Sequence, residues 1–313
     1  MLVITVLIGS NAFADDSGSC LDCHSKSIDL DEFSDSVHGE LTCSSCHINI
    51  LEYPHKMGTS VNCTSCHFPG KYGAPMESAQ AYGLSVHGSA SKKGIESAPE
   101  CKTCHGSHGI FTATDLRSLT SREKIPSLCA QCHNKAFEEY RESVHGKEFL
   151  EMKNLGAATC FDCHMEHFVS PVETDIWKLA LIKECGICHT RVLDSYRETY
   201  HGKVTQLKYT TAAKCTDCHG AHKILPKNDE ASTLSELYIV STCSKCHAGA
   251  TMRFTQFYAH AEEHNRAKYP LLFYTNLFMT ILLITVFTLF FLHTFLWFYR
   301  SIKEQEKRKR GGE

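Results

Sequence analysis

The sequence lacks any cysteine outside one repeated pattern, and this absence excludes the usual roles of a cysteine-rich chain. All 18 cysteines among its 313 residues form Cys-x-x-Cys pairs, and a histidine directly follows each pair. A disulfide framework does not require that histidine. Zinc sites of this kind use two pairs for each metal, which an odd number of pairs cannot supply. The pattern Cys-x-x-Cys-His is instead the attachment motif of c-type haem.

Two other features are missing. The formal net charge is only −3, so no basic field indicates a nucleic-acid partner. No stretch alternates apolar and polar residues for long enough to predict a strand. The chain is therefore expected to be neither a nucleic-acid-binding protein nor a β protein.

Nine complete motifs are present, and each supplies two thioether cysteines and one proximal ligand for a haem iron. The cysteine pairs are Cys20 and Cys23, Cys43 and Cys46, Cys63 and Cys66, Cys101 and Cys104, Cys129 and Cys132, Cys160 and Cys163, Cys185 and Cys188, Cys215 and Cys218, and Cys243 and Cys246. The proximal histidines are His24, His47, His67, His105, His133, His164, His189, His219 and His247. The predicted cofactors are therefore nine haem c groups.

Two classes of segment alternate along the chain, as expected for a duplicated two-haem unit. The first class is CHNKAFEEYRESVHG at 132–146, CHTRVLDSYRETYHG at 188–202 and CHAGATMRFTQFYAHA at 246–261. The second class is CKTCHGSHGI at 101–110, CFDCHMEHFV at 160–169 and CTDCHGAHKI at 215–224.

The predicted fold is mostly α with much irregular loop. Helix-forming residues at helical spacing predict short helices at 135–144, 190–199 and 248–259, while Gly, Ser, Thr and Pro interrupt other stretches. With roughly 28 residues for each haem, the porphyrins must supply most of the apolar interior. We expect short helices wrapped around a stack of covalently bound haems, plus one C-terminal transmembrane helix.

The two ends of the chain predict its location. Residues 1–14 end an apolar run in Ala-x-Ala and are predicted to be a secretory signal peptide, which places the nine-haem domain, 15–268, in the periplasm. Residues 270–299 are predicted to cross the bacterial inner membrane once and to contact lipid, since no charge occurs from 271 to 299. The basic tail at 300–313 predicts a cytoplasmic C-terminus.

Eleven histidines lie outside the motifs, and nine of them occur one after each motif. A single such histidine would be read as a surface residue, but nine at regular positions match the number of haems. They are the candidate distal ligands: His38, His55, His87, His108, His145, His167, His201, His222 and His260. The context of His55 is not repeated elsewhere, which makes it the weakest candidate.

Spacing predicts how these ligands are shared. His105 and His108 would lie on one face of a helical turn, about 5–6 Å apart between Cβ atoms. His133 and His145 would stand about 18 Å apart along a continuous helix. Neither pair could easily hold the two sides of one haem, so most spare histidines are expected to ligate the haem of a neighbouring unit.

Two histidines remain near the membrane. His264 follows His260 by four residues and could replace it on the ninth haem or accept a proton from quinol; a solvated helix residue is an equal alternative. His293 lies inside the predicted span, where ionisable residues are usually functional. It could ligate a b-type haem shared with a partner or hydrogen-bond to another helix.

The alternating haem and His-Gly blocks, followed by YPLLFYTNLFMTILLITVFTLFFLHTFLWFYRSIKE at 269–304, resemble a known family. They are similar to the multihaem half of the inner-membrane quinone oxidoreductases of metal-respiring bacteria, in which a nine-haem periplasmic domain is joined to a multi-span dihaem cytochrome b. This sequence has one span and no further helices for two b haems and a quinone pocket. The resemblance therefore implies a separate cytochrome b or quinone-binding subunit, and soluble periplasmic cytochromes or other electron acceptors as further partners.

The predicted function is electron transfer from quinol oxidation in that partner, without a catalytic residue in this chain. A tethered electron store without a fixed membrane partner is one alternative. The other is a multihaem reductase of a small nitrogen or sulfur substrate, which needs a haem with an open coordination position, often with lysine as the proximal ligand. No Cys-x-x-Cys-Lys occurs, and spare histidines match the haems in number. The partner haem of His55 would be the candidate open site.

Overall fold

The computed structural model describes residues 18–50, 52, 54–55, 61–67 and 76–310. The predicted signal peptide at 1–14 lies outside the described residues. Within them the chain is 55% helical and contains no strand, which confirms the predicted fold class.

The helices are short, with one exception at the C-terminus. In chain order they are α1 Gly18–His24, α2 Leu30–Asp35, α3 Cys43–Cys46, α4 Met76–Leu84, α5 Val86–Lys92, α6 Cys101–His105, α7 Ile125–Ala130, α8 Asn134–Glu142, α9 Val144–Gly146, α10 Cys160–His164, α11 Asp175–Cys188, α12 Thr190–Glu198, α13 Tyr200–Gln206, α14 Cys215–His219, α15 Ile239–Ser244 and α16 Pro270–Arg310. Single 3-10 turns occur at Cys63–Ser65 and Phe254–Gln256, and a π-helical turn at Lys147–Glu151.

Three motifs form complete five-residue helices, α6, α10 and α14, which end at the motif histidine. Each stops because the next residue has a positive φ: 82° at Gly106, 64° at Met165 and 79° at Gly220. His105 and His108 therefore do not share one helical turn, and the expectation that they lie on one helical face is wrong. The sharp change of direction lets the two rings of a Cys-His-x-x-His segment face different partners.

The recurring Ser-Val-His-Gly sequence forms a corner between two helices. Ser143 ends α8, and its hydroxyl accepts a hydrogen bond from the backbone N–H of Gly146 at 3.0 Å. A Cβ on Gly146 would lie 2.0 Å from the carbonyl oxygen of Tyr140, so only glycine allows this approach. The same arrangement recurs with Ser85, Gly88 and Tyr82, and with Thr199, Gly202 and Tyr196. The helix expected to run from His133 to His145 is consequently broken at its Ser-Val-His-Gly corner.

Helices α8 and α12 confirm the predicted helices at 135–144 and 190–199. The prediction for 248–259 is wrong, because only the 3-10 turn Phe254–Gln256 forms there. Gly249 has a φ of 79°, which interrupts a right-handed helix just after the ninth motif.

The described residues include more buried polar than buried apolar side chains. The buried apolar residues are Phe111, Ile125, Pro126, Tyr140, Phe149, Leu181, Ile182, Tyr196 and Leu225. Most of the buried polar ones are serine or threonine. Such a set of side chains buries too little apolar area to stabilise a domain of this size. The composition of the interior fits the expected dependence of the fold on haem.

Helix α16 differs from all the others. It contains 41 residues, has a mean hydropathy of 2.2 over its most apolar window, and buries none of that window against the rest of the chain. It is therefore long enough and apolar enough to cross a membrane. The helix continues beyond the predicted span and includes the basic residues up to Arg310.

Candidate haem-binding sites

Each of the nine motif histidines faces one spare histidine, with ring centroids 5.8 to 6.3 Å apart. The pairs are His24 with His55, His47 with His108, His67 with His38, His105 with His167, His133 with His87, His164 with His222, His189 with His145, His219 with His260, and His247 with His201. The structure thus brings together all eighteen histidines that the sequence marks as candidate axial ligands.

The separations fit two imidazoles on opposite sides of one iron. A metal–imidazole bond is about 2.0 Å long, so two axial nitrogens stand about 4 Å apart and the ring centroids, roughly 1 Å behind them, about 6 Å apart. The weakest candidate, His55, lies 5.8 Å from His24, within the same narrow range as the others. The donor set at every motif is therefore suited to a haem with two histidine ligands.

No spare histidine faces the motif that directly precedes it. Spare histidines after the first, third, fifth and seventh motifs face the next odd-numbered motif, as His145 after the fifth motif faces His189 of the seventh. Those after the fourth, sixth and eighth motifs face the even-numbered motif two earlier, as His222 faces His164 of the sixth. The two terminal ones, His55 after the second motif and His260 after the ninth, face the motif one earlier. The interleaved pairing is the geometry expected if each spare histidine ligates the haem of another unit.

Cysteine contacts give the order of the motifs in space. The first cysteines of the third and fourth, fifth and sixth, and seventh and eighth motifs lie close together: Cys63 with Cys101, Cys129 with Cys160, and Cys185 with Cys215. Electrostatic contacts join the remaining neighbours from the second motif onwards: Cys46 with Cys63, Cys104 with Cys129, Cys163 with Cys185, and Cys218 with Cys243. Motifs that are consecutive in the chain are therefore neighbours in the structure, from the second to the ninth.

Burial affects the protonation of the paired histidines. It lowers the pKa of His105, His164 and His219, and the facing ring of the spare histidine lowers each pKa further. Burial likewise lowers the pKa of several spare histidines: His38, His87, His108, His145, His201 and His260. Both effects favour the neutral imidazole, which is the form that binds a metal.

Several side chains that the sequence analysis did not single out contact the paired rings. A carboxylate oxygen of Glu139 lies 3.4 Å from Nδ1 of His222. The hydroxyl of Ser195 lies 3.3 Å from Nδ1 of His260. Trp177 stacks on His164, with ring centroids 5.6 Å apart and planes at 15°. Glu139 and Ser195 occupy the same position in the matching segments 132–146 and 188–202, but the alignment does not distinguish this position from its neighbours.

The two histidines near the membrane are placed differently. His264 is 87% exposed and lies 3.5 Å from a carboxylate oxygen of Glu263. His260 faces the eighth motif rather than the ninth, whose His247 faces His201, so the suggested replacement of His260 by His264 on the ninth haem does not match the geometry. His293 is an exposed residue of α16.

Comparison with known proteins identifies part of the chain. Residues 87–138 match the doubled CXXCH motif family, and the matched segment includes the fourth and fifth motifs. The protein is a multihaem c-type cytochrome. Its Cys-x-x-Cys-His motifs indicate covalently bound haem c, the predicted type of cofactor. No curated protein and no solved structure matches the chain.

Proposed function

We propose that this cytochrome is a membrane-anchored nonahaem electron carrier that transfers electrons from a quinol-oxidising membrane partner to acceptors in the periplasm. The observation that carries the proposal is the pairing of every motif histidine with a spare histidine at 5.8 to 6.3 Å. Bound haem c supplies one-electron chemistry at its iron, and a second histidine on that iron leaves no position for a substrate. The chain's own residues thus favour electron transfer over the reduction of a small molecule.

The contacts between consecutive motifs support a continuous route. Cys129 lies beside Cys160, and Cys163 beside Cys185, so neighbouring attachment sites are side by side. The spare histidines cross between units and fix those neighbours in one arrangement. The role of the protein is to set the spacing, ligation and burial of its cofactors.

The eighth site is the one most directly linked to the long apolar helix. Its spare histidine, His260, accepts a hydrogen bond on its backbone carbonyl from the hydroxyl of Tyr269 at 3.5 Å, and Tyr269 directly precedes α16. Tyr269 also packs edge-on against Tyr258, with ring centroids 5.2 Å apart. We infer that electrons reach the haem domain from the membrane at this site.

The proposed partner is a separate cytochrome b or quinone-binding subunit beside α16, and the acceptors are soluble periplasmic cytochromes or other carriers. The exposed apolar surface of α16 supports contact with lipid and with such a subunit. His293 on this helix is a candidate ligand of a shared haem b or a candidate hydrogen-bond donor to the partner. The basic end of α16 supports a single-pass orientation with the C-terminus in the cytoplasm and the haem domain in the periplasm.

Spectroscopy of the purified full-length protein tests the ligation. A pyridine haemochrome assay against protein concentration should give nine haem c per chain, and the ferric electron paramagnetic resonance spectrum should contain low-spin signals alone. The reduced protein should not bind carbon monoxide. A high-spin signal, carbon monoxide binding, or reoxidation of the reduced protein by nitrite or hydroxylamine would contradict the proposal in favour of a reductase.

A second experiment tests the membrane partner. Vesicles from cells that produce the chain together with a multi-span cytochrome b encoded beside it should reduce the c haems when a menaquinol analogue is added. Vesicles with the chain alone should not. Equal rates in both would exclude a quinol-oxidising partner of this kind.

A further inference from the structure

One helical position recurs beside the spare histidines that face even-numbered motifs. In α8 and α12 it directly precedes a buried tyrosine, and it is Glu139 in α8 and Ser195 in α12. Glu139 approaches Nδ1 of His222, which faces the sixth motif, at 3.4 Å. Ser195 approaches Nδ1 of His260, which faces the eighth motif, at 3.3 Å. Two side chains at the same helix position thus contact the same ring atom of two ligands that face even-numbered motifs.

The same position can be followed into the earlier units. In α2 it is Glu32, whose carboxylate lies against Gly109, the residue after His108. In α4 it is Ala81, which precedes Tyr82. The backbone there is held like that of the later unit: Val86 donates to the carbonyl of Val169 at 2.9 Å, as Val144 does to Ile224. The residue at this position is glutamate at the second site, alanine at the fourth, glutamate at the sixth and serine at the eighth.

These four side chains differ in their ability to accept a hydrogen bond from an imidazole N–H. A carboxylate that accepts this hydrogen bond gives the ring imidazolate character and makes it a stronger donor to the metal. A hydrogen bond to an ionised acceptor is roughly twice as strong as one to a neutral hydroxyl. Alanine accepts none. A stronger donor stabilises the ferric state over the ferrous state and lowers the reduction potential.

We propose that the residue at this position sets the reduction potential at each even-numbered site. Glu139 lowers the potential at the sixth site by accepting the Nδ1 hydrogen of His222, and Ser195 leaves the potential at the eighth site higher. Glu32 acts like Glu139 at the second site, and Ala81 gives the fourth site no such acceptor. The potentials of the even-numbered sites are tuned by one repeated position whose side chain changes between units.

The proposal rests on the proposed function, because it requires that the spare histidines ligate iron. The proposal requires a direct contact between Glu139 and His222, so the neighbouring glutamate of α8 should not affect the reduction potential. Glu138 lies next to Glu139 in the same helix but forms an ion pair with Arg141 at 2.5 Å and does not contact His222. Glu138→Gln therefore serves as a matched control for the loss of one carboxylate from α8.

Reciprocal substitutions test the position in the full-length holoprotein. In a spectroelectrochemical titration at fixed pH, Glu139→Ser should move one ninth of the haem absorbance to higher potential, and Ser195→Glu should move one ninth to lower potential. We expect a change of about tenfold in the reduced-to-oxidised ratio of that haem, which is about 59 mV for a one-electron couple. Glu139→Gln, which keeps an acceptor without the charge, should give a smaller shift than Glu139→Ser, and Glu138→Gln should give none.

The ferric electron paramagnetic resonance spectrum provides a second readout, since the g values of one low-spin haem should change in both swapped variants. Haem content shows whether each variant has folded. If the variants hold nine low-spin haems and titrate like the wild type, the inference is wrong while the proposed function stands. If the wild type itself contains high-spin haem, the ligation by spare histidines fails first. A shift of the same size in Glu138→Gln would also overturn the role of this position.

Discussion

The rings of His219 and His260 face each other with centroids 6.2 Å apart, and His260 lies in the segment that joins the haem domain to helix α16. One residue therefore completes the eighth site and leads directly to the membrane. His264, four residues later, is exposed instead and lies beside Glu263. Substituting each of these two histidines tests the ligation, because the same residue is lost in both variants but only His260 faces a motif histidine.

We expect His260→Ala to open one coordination position. The ferric protein should show a high-spin signal from one haem, and the reduced protein should bind one equivalent of carbon monoxide. Electron transfer from quinol should slow, because this site is linked to α16 through the hydrogen bond from Tyr269 to His260. His264→Ala should retain the wild-type spectrum. High-spin haem in the His264 variant but not in the His260 variant would show that His264, and not His260, is the ligand.

The glycine of the Ser-Val-His-Gly corner gives a prediction about stability. A Cβ at position 146 would lie 2.0 Å from the carbonyl oxygen of Tyr140, so Gly146→Ala must move backbone that also positions His145. Overpacking of this kind costs about 1–3 kcal/mol. The thermal unfolding midpoint of the holoprotein should fall.

The matched control is Gly83→Ala in helix α4. A Cβ there would meet only the flexible end of Lys92, at 3.5 Å. Alanine is favoured over glycine inside a helix by up to about 1 kcal/mol. Gly83→Ala should therefore leave the midpoint unchanged or raise it. A larger loss of stability at Gly83 than at Gly146 would disprove the steric explanation of the motif.

Much of the site could be predicted from the sequence, because haem attachment depends on local spacing. The motif histidine and the two cysteines lie within five consecutive residues, so no tertiary structure is needed to identify them. The pairing of His145 with His189, by contrast, depends on tertiary structure, because His145 lies in α9 and His189 directly follows α11, far along the chain. Glycine was the main source of error: the positive φ of Gly106 ends a helical turn, and that of Gly249 prevents a helix, although both lie next to helix-forming residues.

The contact of Glu139 with His222 was not predicted for a different reason. On α8 this glutamate is one of several charged residues with the spacing of a solvated helix face, and nothing in its local sequence distinguishes it from Glu138. Only the packing of the second-class segment against the corner between α8 and α9, through the backbone hydrogen bond from Val144 to Ile224, brings His222 to it. Tertiary contacts of this kind do not follow from the periodicity of one segment.

The composition of the interior predicts a strong dependence on haem. The described residues bury few apolar side chains, and several of these, including Tyr140 and Tyr196, lie beside motif helices. Chain produced without the haem-attachment machinery should therefore lose most of its helical circular dichroism outside α16. A soluble version ending at 269, made with and without haem attachment, permits this comparison without the signal of the long helix. Retention of native helicity without haem would show that the side chains alone stabilise the fold.

The same shortened chain tests the role of helix α16. The most apolar part of the helix does not pack against the rest of the described chain. Ending the chain at Tyr269 should therefore leave the nine sites intact. We expect this variant to be released from the membrane fraction with the haem content and low-spin spectrum of the full chain, but without reduction by quinol in vesicles. Three lysines placed after Tyr269 provide a control for the loss of the basic end, because they restore charge but not the apolar helix. Continued quinol-dependent reduction of the released domain would mean that the partner binds the haem domain directly and that α16 is only a tether.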